Sequence, residues 1–488
     1  MNYIVTAAQM KSAEENAVNR GISLRVLAEN AAVACCNYIT KKLGDIHGKT
    51  FTVLCGKGMN GGDGMLISRF LRSAGAEVLC VLVELPKNEL ALEIHSELAP
   101  MVVSTVYEEH KDAVKYTLKN THVIIDCVYG FGFTGELDGK IADLFAFINE
   151  ECKALKISVD LPSGVDATTG LCAEHAFNPD ITLILGAYKK GLLSHPAFDL
   201  AGESVVLDIG LSPNDFTEYE AIRTDKSIVK YRPQRAASSH KGSHGRVFNI
   251  AGSERYIGAA LLSTKAAVKT GAGLVTLCAP ERVITTIASA IPEAVFAHCD
   301  LKSISNELKS ADAVCVGCGL GNSQETRKIT EFVVKNASCP IILDADGINS
   351  ISDNINVIDG NKPMILTPHP GEFSRLTGLS VAEIQSNRID TARLFAKESG
   401  AVVVLKGVNT VIASPNGEIC VNSTGNAGLA KAGSGDVLSG IIAALAAGGV
   451  TAFRAAVLGV YLHGLAADRL AETMPLSRIT ASDVIENI

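Results

Sequence analysis

The chain has 488 residues, beyond the roughly 250 to 300 at which a single hydrophobic core stops growing, so two domains are expected. Apolar residues make up 47% and charged residues 20%, with 44 glycines and no tryptophan, which excludes extensive disorder and suits a chain rich in strand-to-helix turns. Net charge is -8 with the basic residues dispersed, so a nucleic-acid partner is not expected.

From the N-terminus, MNYIVTAAQMKSAEENAVNRGISL reaches acidic Glu14 without the apolar core of a signal peptide. No apolar stretch reaches the roughly 20 residues of a membrane span. IIAALAAGGV after Gly440 is short and broken by glycine. The thirteen cysteines are scattered through apolar runs such as FTVLCG and VIIDCV, as for reduced thiols in a cytoplasm. Cys315 and Cys318 form a CxxC, but inside ADAVCVGCGLG and without a second pair they read as core residues.

The first half alternates helical spacing (AAQMKSAEENAVNRGISLRVLAENAAVACCNYITKKL) with short apolar runs: KTFTVLCG, AEVLCVLV, THVIIDCVYG, KISVDLPSG and ITLILG. Strands apolar on both faces and separated by helices predict a parallel sheet covered on both sides, a Rossmann-like three-layer α/β sandwich. Between Leu211 and Lys241 the periodicity breaks into prolines, charges and serines. This predicts a first domain over residues 1–215, a linker over 216–234, and a second α/β domain over 235–488. Its strand-like runs are RVFNIAG, GLVTLCAP, DAVCVGCGLG, PIILDADG, PMILTPHPGE and AVVVLKG.

In the first half, MNGGDG (Met59, Asn60, Gly61, Gly62, Asp63, Gly64) follows a strand and opens a helix. It is either a plain tight turn or a cradle whose free amides favour an anion. Asp126 and Asp160 close two further strands at the edge where parallel sheets bind ligands. Asn60, Asp126 and Ser163 offer only oxygen, which suits a hard or weakly held cation better than zinc, although each residue alone also reads as a cap or turn residue. These motifs, with DCVYGFGFTGE and DLPSGVDATTG, resemble the NAD(P)H-hydrate epimerase family over roughly residues 1 to 215. The resemblance implies substrate contacts at Met59 to Asp63, at Gly130, Phe131, Gly132, Phe133, Thr134, Gly135 and Glu136, and at Asp160. It also implies potassium at Asn60, Asp126 and Ser163. Met59 departs from the family, whose members often carry a second asparagine there; only a side-chain contact would be altered. Chemically, the ring nitrogen of a hydrated dihydronicotinamide can expel the hydroxyl beside it. An acid/base carboxylate, for which Asp160 is the candidate, speeds loss and return of water.

In the second half, NSTGNAGLAKAGSGDVLSGIIAAL places Gly433, Ser434 and Gly435 at a turn into a helix, with amides and the dipole end facing a transferred phosphate. Asp436 is then either a helix cap or the base that takes a proton from an attacking hydroxyl. The turn resembles that of ribokinase-like kinases. With KGSHGRVFNIAGSERYIGAALLSTKAAVKTGAGLVTL, TPHPGEFSRLTG and VLKGVNTVI it is similar to the NAD(P)H-hydrate dehydratase family over roughly residues 235 to 488. That implies a ribokinase-like domain with substrate contacts at Ala259, Gly319, His369 and Asp436. Nucleotide is expected at Lys406, Gly407, Val408, Asn409, Thr410, Gly433, Ser434 and Gly435, and magnesium in this domain. Glu372 is either a cap or a magnesium contributor through water. Phosphorylating the hydrate hydroxyl turns a poor leaving group into a good one, so kinase machinery serves a dehydration. Bacterial members use ADP and eukaryotic members ATP, and a single-chain fusion without a transit peptide points to ADP. The expected partners are NAD(P)H hydrates, an adenine nucleotide and, as in many such sheets, further copies of the chain. The competing reading is a vitamin-precursor kinase with an N-terminal ligand-binding module, which GSGD alone fits equally well.

Overall fold

The apolar runs TFTVLC and VIIDC form the neighbouring parallel strands Thr50–Cys55 and Val123–Cys127, nearly every residue of which is buried. The computed structural model describes residues 2–98, 100–358, 360 and 362–488. The chain divides into two units, Met1–Glu220 and Ala221–Ile488.

The first unit is built on seven parallel strands in the order Val103–Val106, Glu77–Leu82, Thr50–Cys55, Val123–Cys127, Leu155–Val159, Ile181–Leu185, Glu203–Leu207. Helices Ala7–Asn19, Leu24–Leu43 and Met59–Ser73 supply one apolar layer, including Met10, Cys35, Met65 and Ile67. Lys111–Asn120 and Gly139–Glu151 supply the opposite layer through Val114, Leu118, Phe145 and Ile148. Each such large apolar side chain contributes about 1.5–3 kcal/mol when fully buried. The order reverses between Thr50–Cys55 and Val123–Cys127, the point at which open parallel sheets take their ligands. Glycine lets the loops after these strands start so close together: a Cβ on Gly56 would lie 2.0 Å from the Val128 carbonyl oxygen, and one on Gly61 1.9 Å from that of Gly56.

The second unit repeats the design. Seven parallel strands run in the order Val295–Ala297, Leu274–Cys278, Arg246–Ile250, Ala313–Val316, Ile341–Leu343, Met364–Leu366, Val402–Leu405. Val411–Ala413 and Ile419–Val421 then extend the sheet antiparallel, and Ala221–Arg223 pairs parallel to the last of these. The order reverses between Arg246–Ile250 and Ala313–Val316. Over this sheet the almost wholly buried helix Ser434–Ala447 packs on Ile257–Thr270 so closely that a Cβ on Gly440 would sit 2.1 Å from the Ser263 carbonyl oxygen.

The stretch 216–234, expected as a linker, is partly ordered into the second unit. Ala221–Arg223 is a strand and Lys226–Tyr231 a short 3-10 helix capped by Asp225. Its apolar residues are too few for a visible period, and the order comes from backbone pairing with a strand some 200 residues later. Among the described residues no helix is long and apolar enough to cross a membrane.

Candidate active sites

In the first unit the start of helix Met59–Ser73 and the loops after Val123–Cys127 and Leu155–Val159 meet at this edge of the sheet. Asp126 is fully buried. Its Oδ1 accepts from Val128 N (3.1 Å) and Ser163 Oγ (2.6 Å), and its Oδ2 from Ser158 Oγ and Ser163 N (both 2.9 Å). Burial pushes its carboxyl up to about 6 against the pull of those bonds. Asn60 donates to the Val159 carbonyl at 3.3 Å, while its own Oδ1 is buried with no partner. With the Ser163 hydroxyl and the Tyr129 carbonyl oxygen, 3.2 Å apart, this orphaned acceptor gives an oxygen-only environment of the kind a hard or weakly held cation takes.

Asp160 stands in the left-handed region, with φ 71°. Its Oδ2 accepts from Phe131 N at 2.9 Å, which ties the Gly130–Glu136 loop to the strand end, and its Oδ1 is held by the fully buried ammonium of Lys189. Lys189 donates a second bond to the Leu185 carbonyl at 2.7 Å. Two more carboxyls crowd this pair. Burial, then Asp160, pushes Glu14 up to about 7, and burial with Asp160 and Glu14 raises Asp63 well above the carboxylate range. One buried cation thus stands against three mutually repelling carboxyls, pairing with Asp160 and acting on Glu14, while Glu14 and Asp63 are inclined to hold protons, an arrangement suited to proton exchange at neutral pH. A Cβ on Gly130 would lie 3.0 Å from Asp160 Oδ2 and 3.4 Å from Asn60, so Asn60, Gly130 and Asp160 meet. Phe131 and Phe133 are half-buried, whereas Gly132, Thr134, Gly135 and Glu136 face solvent. The Met59 side chain packs on the apolar layer.

In the second unit Gly433, with φ 92°, turns the chain into helix Ser434–Ala447 without a side-chain cap, so the amides of the first turn have no intrahelical acceptor. Ser434 Oγ meets the buried His463 Nε2 at 3.3 Å, and burial lowers that imidazole to about 4. Asp436 lies beside Asp344 and Cys318, with ligand atoms of all three within 4.8 Å of one another. Burial and then Asp344 push the Asp436 carboxyl up to about 6. Burial works the same way on Asp344, but Lys406 Nζ at 2.8 Å and Ser439 Oγ at 2.9 Å outweigh it and hold that carboxyl below its ordinary value. Lys406 Nζ also lies 3.8 Å from Glu372 Oε2, which accepts from His369 N at 2.8 Å. His369 caps helix Pro370–Thr377 through Nδ1, with its ring half exposed. A Cβ on Gly319 would lie 2.7 Å from the Ala259 Cβ, so those two positions adjoin. In the 406–410 turn Val408 is exposed, Asn409 takes φ 51° with its Nδ2 buried and unpartnered, and Thr410 Oγ1 donates to the Gly407 carbonyl. Arg388 braces this turn from behind by donating to the Leu405 and Lys406 carbonyls. An open cavity of about 640 Å³ bounded by Asn322, Arg327, Asn349 and Arg375 includes none of Asp436, Asp344 and Lys406.

Sequence reasoning missed Glu14 and Lys189, far in the chain from the glycine motifs, and Asp344, which ends the strand-like run PIILDADG and so carried the same strand-end signal as Asp126. Cys318, expected to be a core thiol, is buried but points its Sγ at Asp344 Oδ2 from 3.8 Å. Glu372 is occupied by the His369 amide and Lys406, which leaves it less free for a metal than Asp344 and Asp436.

Two doubly wound α/β units, each gathering buried carboxylates where its strand order reverses, define a two-domain enzyme with one reaction edge per unit. Residues 24–191 match the family described as YjeF-related protein N-terminus, and residues 247–488 that described as NAD(P)H-hydrate dehydratase. The bifunctional NAD(P)H-hydrate repair enzyme Nnr of Moorella thermoacetica is 34% identical over 506 residues, spanning 99% of this chain and 95% of the relative. That of Escherichia coli is 34% identical over 443 residues, 89% of this chain and 84% of the relative. A solved ADP/ATP-dependent NAD(P)H-hydrate dehydratase from Bacillus subtilis, co-crystallised with ATP/Mg2+, is 34% identical and covers 54% of this chain and 94% of that one, with a TM-score of 0.49. The chain belongs to the family of bifunctional NAD(P)H-hydrate repair enzymes.

Proposed function

We propose that this chain repairs hydrated nicotinamide cofactors. The first unit interconverts the R and S epimers of NAD(P)HX, and the second dehydrates the S epimer with ADP as phosphoryl donor, releasing NAD(P)H, AMP and phosphate. The observation that carries the reading is the pairing in one chain of an acid/base cluster around Asp160 with Asp436 beside an uncapped phosphate-type turn. Full-length similarity to repair enzymes favours this over the vitamin-precursor kinase.

In the first unit Asp160 and its neighbours Glu14 and Asp63 protonate and deprotonate the departing and returning water, with Lys189 holding Asp160 in place. The substrate lies against Met59 to Asp63 and the Gly130–Glu136 loop. Potassium is assigned to Asn60 Oδ1, Asp126 and Ser163, supported by the orphaned Asn60 oxygen, and would supply a fixed positive charge near the substrate.

In the second unit Asp436 takes the proton of the hydrate hydroxyl as its oxygen attacks the terminal phosphorus of ADP. The Ser434 amide donates to the Lys431 carbonyl at 3.4 Å, so the Gly435 amide and the neighbouring Lys406 ammonium face the phosphoryl group, with Gly433 and Ser434 shaping the turn and Gly407 to Thr410 along the nucleotide. The ring nitrogen then expels phosphate, and loss of a proton from the adjacent ring carbon to water restores the ring double bond of NAD(P)H. Ala259, Gly319 and His369 bound the hydrate. Magnesium would find an oxygen donor in Asp344, beside Asp436, and would neutralise phosphate charge. Thirteen free cysteines support a reducing compartment, and we place the enzyme in the cytoplasm as a homo-oligomer.

The test is ultraviolet absorbance of reduced cofactor regained from mixed-epimer NADHX with magnesium and ADP, ATP or no nucleotide. Complete recovery with ADP is expected. Asp160→Asn should stop when the S epimer is exhausted, and Asp436→Asn should regain nothing while still exchanging epimers. Equal loss of both activities in either variant refutes the two-site reading.

A further inference from the structure

Nucleotide along the 406–410 turn brings phosphate charge to a place where the nearest cation is already shared. Lys406 Nζ lies 2.8 Å from Asp344 Oδ1 and 3.8 Å from Glu372 Oε2, one ammonium against two buried carboxyls. Asp436 adds a third acidic group beside Asp344. A polyanion seated here calls for positive charge beyond that of Lys406.

Arg388 carries such a charge. It opens helix Arg388–Ser399 and is only 6% exposed. Burial pulls its guanidinium down to about 10, which leaves it charged at neutral pH. Among the described residues each of its partners is neutral. Nη1 donates to Gln385 Oε1 at 2.7 Å, Nη2 donates to the Leu405 and Lys406 carbonyls at 2.8 and 3.2 Å, and Nε has no acceptor. A Cβ on Gly407 would lie 3.1 Å from both Nη1 and Nη2, so the guanidinium rests against the backbone at the start of the turn. The amino end of the helix adds positive potential at the same place. A buried charge without a counter-charge is costly, and bracing two carbonyls needs only a neutral donor such as an amide. What arginine adds is charge, which acts through a weakly polar interior without touching what it attracts.

Resting on the assignment of nucleotide to this turn, we propose that Arg388 is a positioning residue of the nucleotide site, whose buried cation attracts the phosphates of ADP from behind the turn while it holds the turn by two carbonyls. Gln385→Glu is the decisive variant. It keeps the side-chain shape and the hydrogen bond from Nη1, sets a carboxylate against the guanidinium, and leaves Arg388 in place. The assay is the rate of NADH regained from S-NADHX by the full chain with magnesium over a range of ADP concentrations, joined to calorimetric melting without nucleotide. The KM for ADP should rise about tenfold with kcat within about twofold of the parent, while the unliganded melting temperature rises because the cation gains a partner. Damage to the turn would instead raise KM and lower the melting temperature together. At about pH 6.5, which favours a protonated lysine, Arg388→Lys should keep a lower KM than Arg388→Gln; bracing alone gives the reverse order, since glutamine keeps a neutral donor. An unchanged KM in Gln385→Glu, or an Arg388→Gln KM no higher than that of Arg388→Lys, overturns the proposal. No saturation of the parent by ADP refutes the nucleotide assignment itself, and the proposal with it.

Discussion

Replacing Lys189 by methionine tests whether charge pairing, rather than packing, organises the first reaction edge. The side chain is fully buried, and among the described residues its ammonium donates to Asp160 Oδ1 and the Leu185 carbonyl, with the Phe131 ring 5.9 Å away. Methionine fills nearly the same volume, so the apolar contacts of the stem survive. What is lost is the cation beside a carboxylate only 4% exposed, in a place already crowded by Glu14 and Asp63. Removing one partner of a buried pair costs about 3–5 kcal/mol. The hydrogen bond from Phe131 N stays and puts the loss near the lower end, about 3 kcal/mol. In a unit of this size each kcal/mol shifts the midpoint by about 2–4 °C, so the melting transition of the first unit should fall by about 6–12 °C. Differential scanning calorimetry at pH 8 measures this, with dehydration as the internal control for the second unit. The Asp160→Asn/Lys189→Met double variant should recover most of the loss, because no charge is then stranded. A single variant that loses less than about 1 kcal/mol, or a double variant no more stable than the single, refutes the reasoning.

Glu14→Gln should stabilise the first unit at alkaline pH. The folded-state carboxyl is raised from 4.5 to about 7, so its favourable contribution is complete below about 4.5, fades between 4.5 and 7, and is gone above. Urea unfolding at pH 5 and pH 8 should show the variant's advantage, about 3 kcal/mol at most, only at the higher pH. Since Asp436 must be ionised to accept a proton and its carboxyl is raised to about 6, kcat/KM for dehydration should be about tenfold below its plateau at pH 5 and level above pH 7. A profile flat from pH 5 to 8 excludes Asp436 as the base. Gly317→Ala should destabilise the second unit by at least about 1–3 kcal/mol in chemical unfolding, because φ is 127° there and the new Cβ would meet the Asp344 carbonyl oxygen at 1.9 Å.

Both sheets were readable because their inner strands are apolar on both faces, and the glycine turns at Met59–Gly64 and Gly433–Gly435 were readable because close backbone approach restricts the residue type. The division near residue 220 was blurred because Ala221–Arg223 has only a three-residue apolar signal and is ordered by its distant partner Ile419–Val421. Asp126, Asp160 and Asp436 stand out in the sequence as candidates by position at strand ends and a helix start. Lys189 and Glu14 could not, since their importance is a matter of burial beside Asp160, and a lysine in YKK or a glutamate in SAEEN looks solvated in one dimension. Asp344 could have been found: it ends PIILD as Asp126 ends VIID.

The left-handed backbone at Asp160 separates two questions that a routine alanine exchange would merge. Asparagine tolerates that conformation and removes only the charge, alanine adds about 1 kcal/mol of steric strain, and glycine relieves the strain altogether. In a Lys189→Met background, where no cation is stranded, a glycine variant with no activity but a higher melting temperature would therefore show that the chain gives up stability at this position to keep a carboxylate there.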